Sequence, residues 1–412
     1  MKDAMHRNNS TVFIFGAGVS KAVAGAPVMK ELFLKMKQRY EQEKKLSDPL
    51  VRNSRINEFK SIEAVINKLE GRTKKGLSES KGGKDIKIKA DTGIRENIEW
   101  LITLIDMNTD YVPMFGFEKL GVDVSPFGVN PLGISREKME HVRSCLNRYL
   151  YLCLSDLKDE KDILSKFFKE QRLRRNDYLI TFNYDVLIEN ALLEINQWSP
   201  VGGYVGVEQL ESRYEGVDKF STGCSPCKIL KLHGSINWVQ EGPRKIDIDN
   251  PPVITLHKWD SSPFFPKYEK ILGQKPSGRP PVWILPSYFK IFSKNPFLFT
   301  IWRKAQRILA QAKHLVVLGY SFPEEDSPSQ LLLASLPDDC SILIVDLEGD
   351  GIEKRMNSIL RSPDISYKRW DLRHGYNKAV LDLNNWKVNQ LRSGLCEKNP
   401  QKSVRRKERD LM

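Results

Sequence analysis

Asn183, in Leu179-Ile180-Thr181-Phe182-Asn183-Tyr184-Asp185, and His233, in Lys231-Leu232-His233-Gly234-Ser235, are the side chains of this 412-residue chain best placed for chemistry. A neutral imidazole near pH 7 accepts a proton from a hydroxyl or a water. An amide nearby can orient the group that gives the proton up. Both residues end an apolar run that reads as a buried parallel strand, and ligands of open α/β sheets bind at that carboxyl edge. A third such strand end lies near the N-terminus, where Thr11-Val12-Phe13-Ile14-Phe15 enters Gly16-Ala17-Gly18-Val19-Ser20. Gly16 and Gly18 let the backbone turn tightly and approach a ligand. A helix starting there, with Ser20 as its cap, would favour a pyrophosphate. Glycine turn, Asn-x-Asp and His-Gly, in that order, suggest a nucleotide cofactor with an imidazole aimed at it.

Two later strand ends add polar groups. Gly319 and Ser321 follow Leu315-Val316-Val317-Leu318, and Asp346 ends the apolar run from 341. A carboxylate at Asp346 suits a ribose diol. Each residue also suits a plain structural role. Gly-x-Gly makes an ordinary strand-to-helix turn, and its next glycine, Gly25, falls outside the six-residue dinucleotide spacing. Asn183, Asp185 and Asp346 can cap helices, and His233 can be a core histidine. Cys224-Ser225-Pro226-Cys227 is half of a zinc ligand set with no second half, so no metal is expected.

Composition bounds the setting. Hydrophobic residues make up 40% and charged residues 28%, as in ordinary globular proteins. No apolar run approaches the ~20 residues of a membrane helix. The polar start, Met1 to Arg7, leads straight into the first strand without the pattern of a signal peptide. Six cysteines in this length do not make a disulfide framework. These features read as a cytoplasmic protein with no membrane contact. The net charge of +13 raises direct nucleic-acid binding, but its placement is uneven. Residues 71–89 carry seven Lys/Arg against two acids, and 398–412 carry six against two. A basic tail of that kind is more often a solvated end than a specific site.

The elements that must position these residues follow from periodicity. Strands are expected at 11–16, 177–182, 228–232, 282–285, 315–318, 341–346 and 365–369. Helices are expected over 20–45, within 46–70 (Ile62, Val65, Ile66 and Leu69 on one face), over 94–110 and 135–175, after 182 to about 196, and over 297–312, 326–335 and 351–360. Residues 71–93 are Gly-, Lys- and Ser-rich and read as a mobile loop. Strands alternating with helices make an α/β fold with a doubly wound parallel sheet. Its sheet domain is discontinuous, 1–45 and 176–395, with a helical module inserted over 46–175. Residues 396–412 read as a disordered basic tail.

Taken together, the motifs resemble the sirtuin-like superfamily, in particular its bacterial branch of NAD-consuming defence proteins. The matching residues are Gly16-Ala17-Gly18-Val19-Ser20 with Gly25-Ala26-Pro27; Thr181-Phe182-Asn183-Tyr184-Asp185; Leu232-His233-Gly234-Ser235-Ile236-Asn237-Trp238; Ile284-Leu285-Pro286-Ser287; and Gly319-Tyr320-Ser321-Phe322. The resemblance implies a Rossmann-like domain that binds NAD. It implies that Gly16, Ala17, Gly18 and Ser20 hold the diphosphate, and that Asp185 lies with Asn183 at the nicotinamide ribose. His233 would be the base. Gly319 and Ser321 would line the ribose and phosphate groove, and Asp346 the adenosine end.

Two departures bear on activity. Protein-deacylating sirtuins carry Phe-Arg after the Gly-x-Pro turn, where this chain has Val28-Met29, and a four-cysteine zinc module that is missing here. What the resemblance then implies is an NAD+ glycohydrolase, with NAD as substrate and no metal. It implies further a latent antiphage effector acting by abortive infection, a homo-oligomer or a chain gated by a partner such as a ring ATPase or an Argonaute-type sensor. An NAD-dependent deacylase, a non-catalytic NAD or ADP-ribose sensor and a nucleic-acid-binding subunit are the competing expectations.

Overall fold

The computed structural model describes residues 10–79, 98–106, 109, 134–171, 173–174, 176–207, 210–211, 227–240, 254–256, 281–288, 296–323, 326–347, 349–361, 364–370 and 386–387. Strand β1 (Thr11–Phe15) has five consecutive buried residues, as a strand covered on both faces requires. It lies inside a six-stranded sheet with β2 (Tyr178–Thr181), β4 (Lys228–Lys231), β9 (His314–Leu318), β10 (Ser341–Asp346) and β11 (Asp364–Arg369). The order is β11-β10-β9-β1-β2-β4, and every pairing is parallel. The chain steps outward from β1 through β2 to β4, then crosses back to β9 and steps outward the other way. Strand order therefore reverses between β1 and β9, the switch point at which a doubly wound sheet opens a crevice. The fold is the expected Rossmann-like doubly wound α/β sheet.

Helices α1 (Ala17–Ala24), α2 (Met29–Glu43), α3 (Pro49–Glu79), α4 (Ile98–Asp106), α5 (Arg136–Leu154) and α6 (Ile163–Gln171) all lie between β1 and β2. Faces of α2, α3, α4 and α5 bury against one another in a second core, separate from that of the sheet. Phe59 is at its centre, stacked on Tyr40 at 4.4 Å and edge-on to Tyr149 at 5.3 Å. Ile236, Trp283 and Leu285, from beyond β4, are part of this helical core. Phe167 and Phe168 of α6 pack instead on the sheet, against Phe15. The later helices α7 (Leu187–Glu194), α8 (Pro296–Leu309), α9 (Ser327–Leu333) and α10 (Gly349–Ile359) alternate with the strands.

Several local expectations change. The single helix over 20–45 is two, α1 and α2, because Gly25 takes a left-handed φ of 66° and Pro27 follows it. Ser20 is no cap. Gly16 holds the N-cap position, and Ser20 lies inside α1. The helix over 135–175 breaks after α5, and the Asp159 carboxylate accepts the Leu164 N–H at 2.7 Å to start α6. Residues 71–79, expected in a loop, continue α3. Residues 80–93 and the tail 396–412 lie outside the described residues. The strand over 282–285 is only β8 (Val282–Trp283), and it pairs antiparallel with β5 (Gly234–Ser235) rather than joining the main sheet. A small sheet of β3 (Leu210–Glu211), β6 (Trp238–Gln240) and β7 (Ile254–Leu256) lies outside the expected strands. Among the described residues, no helix is long and apolar enough to cross a membrane.

Candidate active site

The crevice at the switch point begins with close backbone packing. The Gly16 N–H donates to Leu318 O at 3.0 Å and the Gly18 N–H to Gly319 O at 2.9 Å. A Cβ on Gly16 would lie 2.5 Å from Gly319 O, and one on Gly319, whose φ is +58°, would lie 2.6 Å from the Val19 nitrogen. The two glycine turns are thus locked face to face. The Gly16, Gly18 and Val19 amides are engaged within the protein, Val19 with Gly16 O at 3.0 Å. Ala17 is the first residue of α1, beside that junction.

Asn183, Asp185 and Ser20 meet next to it. The Asn183 amide nitrogen donates to Gly16 O at 2.9 Å and to Ser20 Oγ at 2.8 Å. The Ser20 hydroxyl donates to Asp185 Oδ2 at 2.6 Å. Asp185 Oδ1 accepts the Leu187 N–H at 3.2 Å, at the start of α7. All three residues are buried. Both amide hydrogens of Asn183 are used, so what it can offer a ligand is its carbonyl oxygen, an acceptor.

A buried ion pair supports this loop from below. Lys231 donates to the Asp185 carbonyl and to Glu189 Oε1 at 2.8 Å, and the Tyr204 hydroxyl donates to the same Oε1 at 3.1 Å. Both charged side chains are excluded from solvent. Burial, then the Glu189 charge, holds the Tyr204 hydroxyl well above the usual phenol range. The motifs gave no sign of the pair, because Lys231 reads as one more residue of the strand before His233.

His233 lies two residues past the end of β4 and is buried. Its ring meets Phe182 edge-on at 5.2 Å, Tyr184 at 5.9 Å and Trp302 at 6.0 Å. Gly234 follows with a φ of +82°, and a Cβ there would lie 2.1 Å from Val282 O. The chain can leave His233 on this path only through glycine. The His233 carbonyl accepts the Ile284 N–H at 2.9 Å, and the Trp302 indole donates to Leu232 O at 2.7 Å. Nε2 lies 3.7 Å from Asp326 Oδ2, which also accepts the Tyr320 hydroxyl at 2.7 Å. Tyr320 stacks flat on Phe182 at 4.1 Å. Burial, then the Asp326 charge, raises the Tyr320 hydroxyl far above its ordinary range.

Ser321 and Asp346 come together farther along the edge. Both line an open cleft of about 460 Å³, with Arg355, Tyr367 and Arg369. Arg355 Nε donates to Ser321 O at 2.8 Å, and the Tyr367 hydroxyl donates to Asp346 O at 3.0 Å. A carboxylate and guanidinium groups in a cleft of this size match the needs of a ribose and a phosphate. Cys227 is buried, and its thiol is pushed up to about 12 by desolvation. Among the described residues no His/Cys/Asp/Glu cluster could hold a metal.

No protein-family model matches the sequence, and no curated protein matches it. The chain is similar to solved Sir2 structures. One is a Sir2 homologue in complex with NAD, at 13% identity and a TM-score of 0.35, covering 87% of this chain and 83% of that one. Another is Sir2 bound to an acetylated peptide, at 13% identity and a TM-score of 0.36, covering 87% of each chain. A third is a Sir2 homologue variant in complex with ADP-ribose, at 14% identity and a TM-score of 0.33, covering 85% and 91%.

Proposed function

We propose that the protein is a sirtuin-like NAD+ glycohydrolase that cleaves NAD to nicotinamide and ADP-ribose. The observation that carries this reading is the buried imidazole of His233, walled by aromatic rings, at the same sheet edge as the Asn183–Ser20–Asp185 cluster. The reaction needs little covalent help from the protein. Nicotinamide leaves with the bonding pair of the C1′–N bond as an oxocarbenium-like charge develops on the ribose. Water then forms the new C1′–O bond, and its proton goes to His233. Asn183, with only its carbonyl oxygen to offer, accepts from that water or from a ribose hydroxyl. The burial of both residues supports positioning in a site sheltered from solvent. In this reading the glycine junction abuts the diphosphate, and the Asp346 cleft takes the adenosine end.

Hydrolysis without control would drain the host's NAD, so the reading includes a latent enzyme switched on by self-assembly or by a partner. Defence against phage by abortive infection is part of the same proposal. Its support is the set of five motifs in family order.

The test is to incubate the purified chain with NAD+ and follow nicotinamide and ADP-ribose by chromatography, with His233→Ala as control, alone and with candidate partners. Release that disappears in His233→Ala is the expected result. Equal release from both proteins overturns the assignment. Formation of O-acetyl-ADP-ribose only when an acetylated peptide is added would make the protein a deacylase.

A further inference from the structure

Asp326 is not among the residues that the motifs single out, yet its carboxylate reaches the candidate base. The segment after Gly319 folds back so that Asp326, just before α9, lies under His233. Three observations fix its place. Oδ2 is 3.7 Å from His233 Nε2, longer than a hydrogen bond but within ion-pair reach. The same oxygen accepts the Tyr320 hydroxyl at 2.7 Å, so the carboxylate is held rather than free to rotate. Asp326 is itself buried, where a charge acts more strongly than in water.

We infer that Asp326 is a positioning residue for His233, holding the imidazole with its Nε2–H toward the carboxylate and favouring the charged ring. This rests on the hydrolase reading for its catalytic meaning. With Nε2 carrying the proton that faces Asp326, the lone pair left to accept is on Nδ1. During turnover an O–H bond of water breaks, its oxygen bonds to C1′, and its proton moves to Nδ1. Asp326 stays ionised throughout and faces the imidazolium that forms. The proton then returns to solvent as His233 resets. Other groups that face the ring's surroundings are Tyr184 and Tyr320, both kept protonated by burial. The Glu99 carboxylate, from α4, acts on the same two tyrosines and adds negative potential. Lys231 and Glu189 lie beyond and compensate each other.

The experiment is a histidine-ring NMR titration of the full chain, with His233→Gln identifying one signal among six histidines. In Asp326→Asn, which keeps an acceptor for Tyr320, the His233 pKa should fall by about 1–3 units. The acid limb of kcat/KM for nicotinamide release should move down with it. An unchanged His233 pKa overturns the inference. Should Asp326→Asn fail to fold, Tyr320→Phe removes the competing donor from the same oxygen and should raise the His233 pKa; no change or a fall overturns the inference equally. A shift in either variant, together with equal nicotinamide release from the parent and His233→Ala, supports the Asp326–His233 coupling and removes the hydrolase reading.

Discussion

The side chain of Asn183 bridges two strands at once: from the end of β2 its amide nitrogen donates to the Gly16 carbonyl in the turn after β1, at 2.9 Å, and to Ser20 Oγ at 2.8 Å. The residue therefore has a structural task and, in the proposed mechanism, a chemical one as well. Asn183→Ala should lower stability by about 1–3 kcal/mol, since it strips partners from buried polar groups. It should also reduce nicotinamide release by roughly 100-fold or more. Asn183→Asp retains an acceptor but loses both amide donors, and should be no more active than the alanine variant. Denaturant midpoints and release rates measured on the same samples check both parts, and wild-type turnover in Asn183→Ala would remove the residue from the mechanism.

Gly319→Ala tests the junction between the two glycine turns. A left-handed φ costs a residue with a Cβ about 1–2 kcal/mol. The new methyl would also lie 2.6 Å from the Val19 nitrogen. The expected loss exceeds the strain alone, at roughly 2 kcal/mol or more. A urea midpoint equal to that of the parent protein would show that the turns can separate at little cost.

Lys231→Met leaves Glu189 buried without its cation. Breaking such a pair from one side costs about 3–5 kcal/mol. Lys231→Met combined with Glu189→Leu should recover much of that loss, because the charge left behind is removed too. The coupling energy from a double-mutant cycle decides; strictly additive losses would mean that the two side chains do not act as a pair.

Asp346→Ala probes the cleft at the end of β10. Loss of the carboxylate should weaken ADP-ribose binding about tenfold, or about 1.4 kcal/mol. Calorimetric titration measures the affinity, and an unchanged Kd would place the adenosine end elsewhere.

His314 sets a dependence on acid. Burial, then the neighbouring Lys387 charge, lowers its pKa from 6.5 to about 4. The unfolded chain therefore takes up the proton first as pH falls. The stability tied to neutral His314 is complete above about pH 6.5 and is lost progressively down to about pH 4. Subtracting the profile of His314→Gln from that of the parent should isolate this slope between those limits. A flat difference would show that the ring is protonated as readily in the fold as in the unfolded chain.

How legible a residue is in the sequence depends on how local its reasons are. Asn183, His233 and Gly319 stand out because each ends a run of buried apolar residues, and such runs mark sheet strands whatever surrounds them. Asp326 does not. In Phe322-Pro323-Glu324-Glu325-Asp326-Ser327 it reads as the solvated start of a helix, and only the return of the chain to His233 gives it a partner. Ser20 misleads for the same reason. Its type suits a cap, but the packing of Gly16 on Gly319 starts α1 earlier and turns the hydroxyl toward Asp185. The break between α1 and α2 was readable from Gly25 and Pro27. The helical faces of the inserted segment were periodic enough to recognise, but nothing local to Ile236 or Trp283 says that they bury in that core.

That last pair gives the site its mechanics. The peptide carrying His233 is held at one end by β4, in the sheet, and at the other by Ile236, in the helical core. Trp283, which pairs with Gly234, sends its indole N–H to Asn147 of α5 at 2.7 Å. The Tyr184 hydroxyl, beside the imidazole, grips Ile284 O at 2.7 Å. His233 thus sits on a span anchored in two hydrophobic cores, like a plank resting on two piers. In the proposed mechanism, a partner that displaced the helical core would therefore move the imidazole through this span.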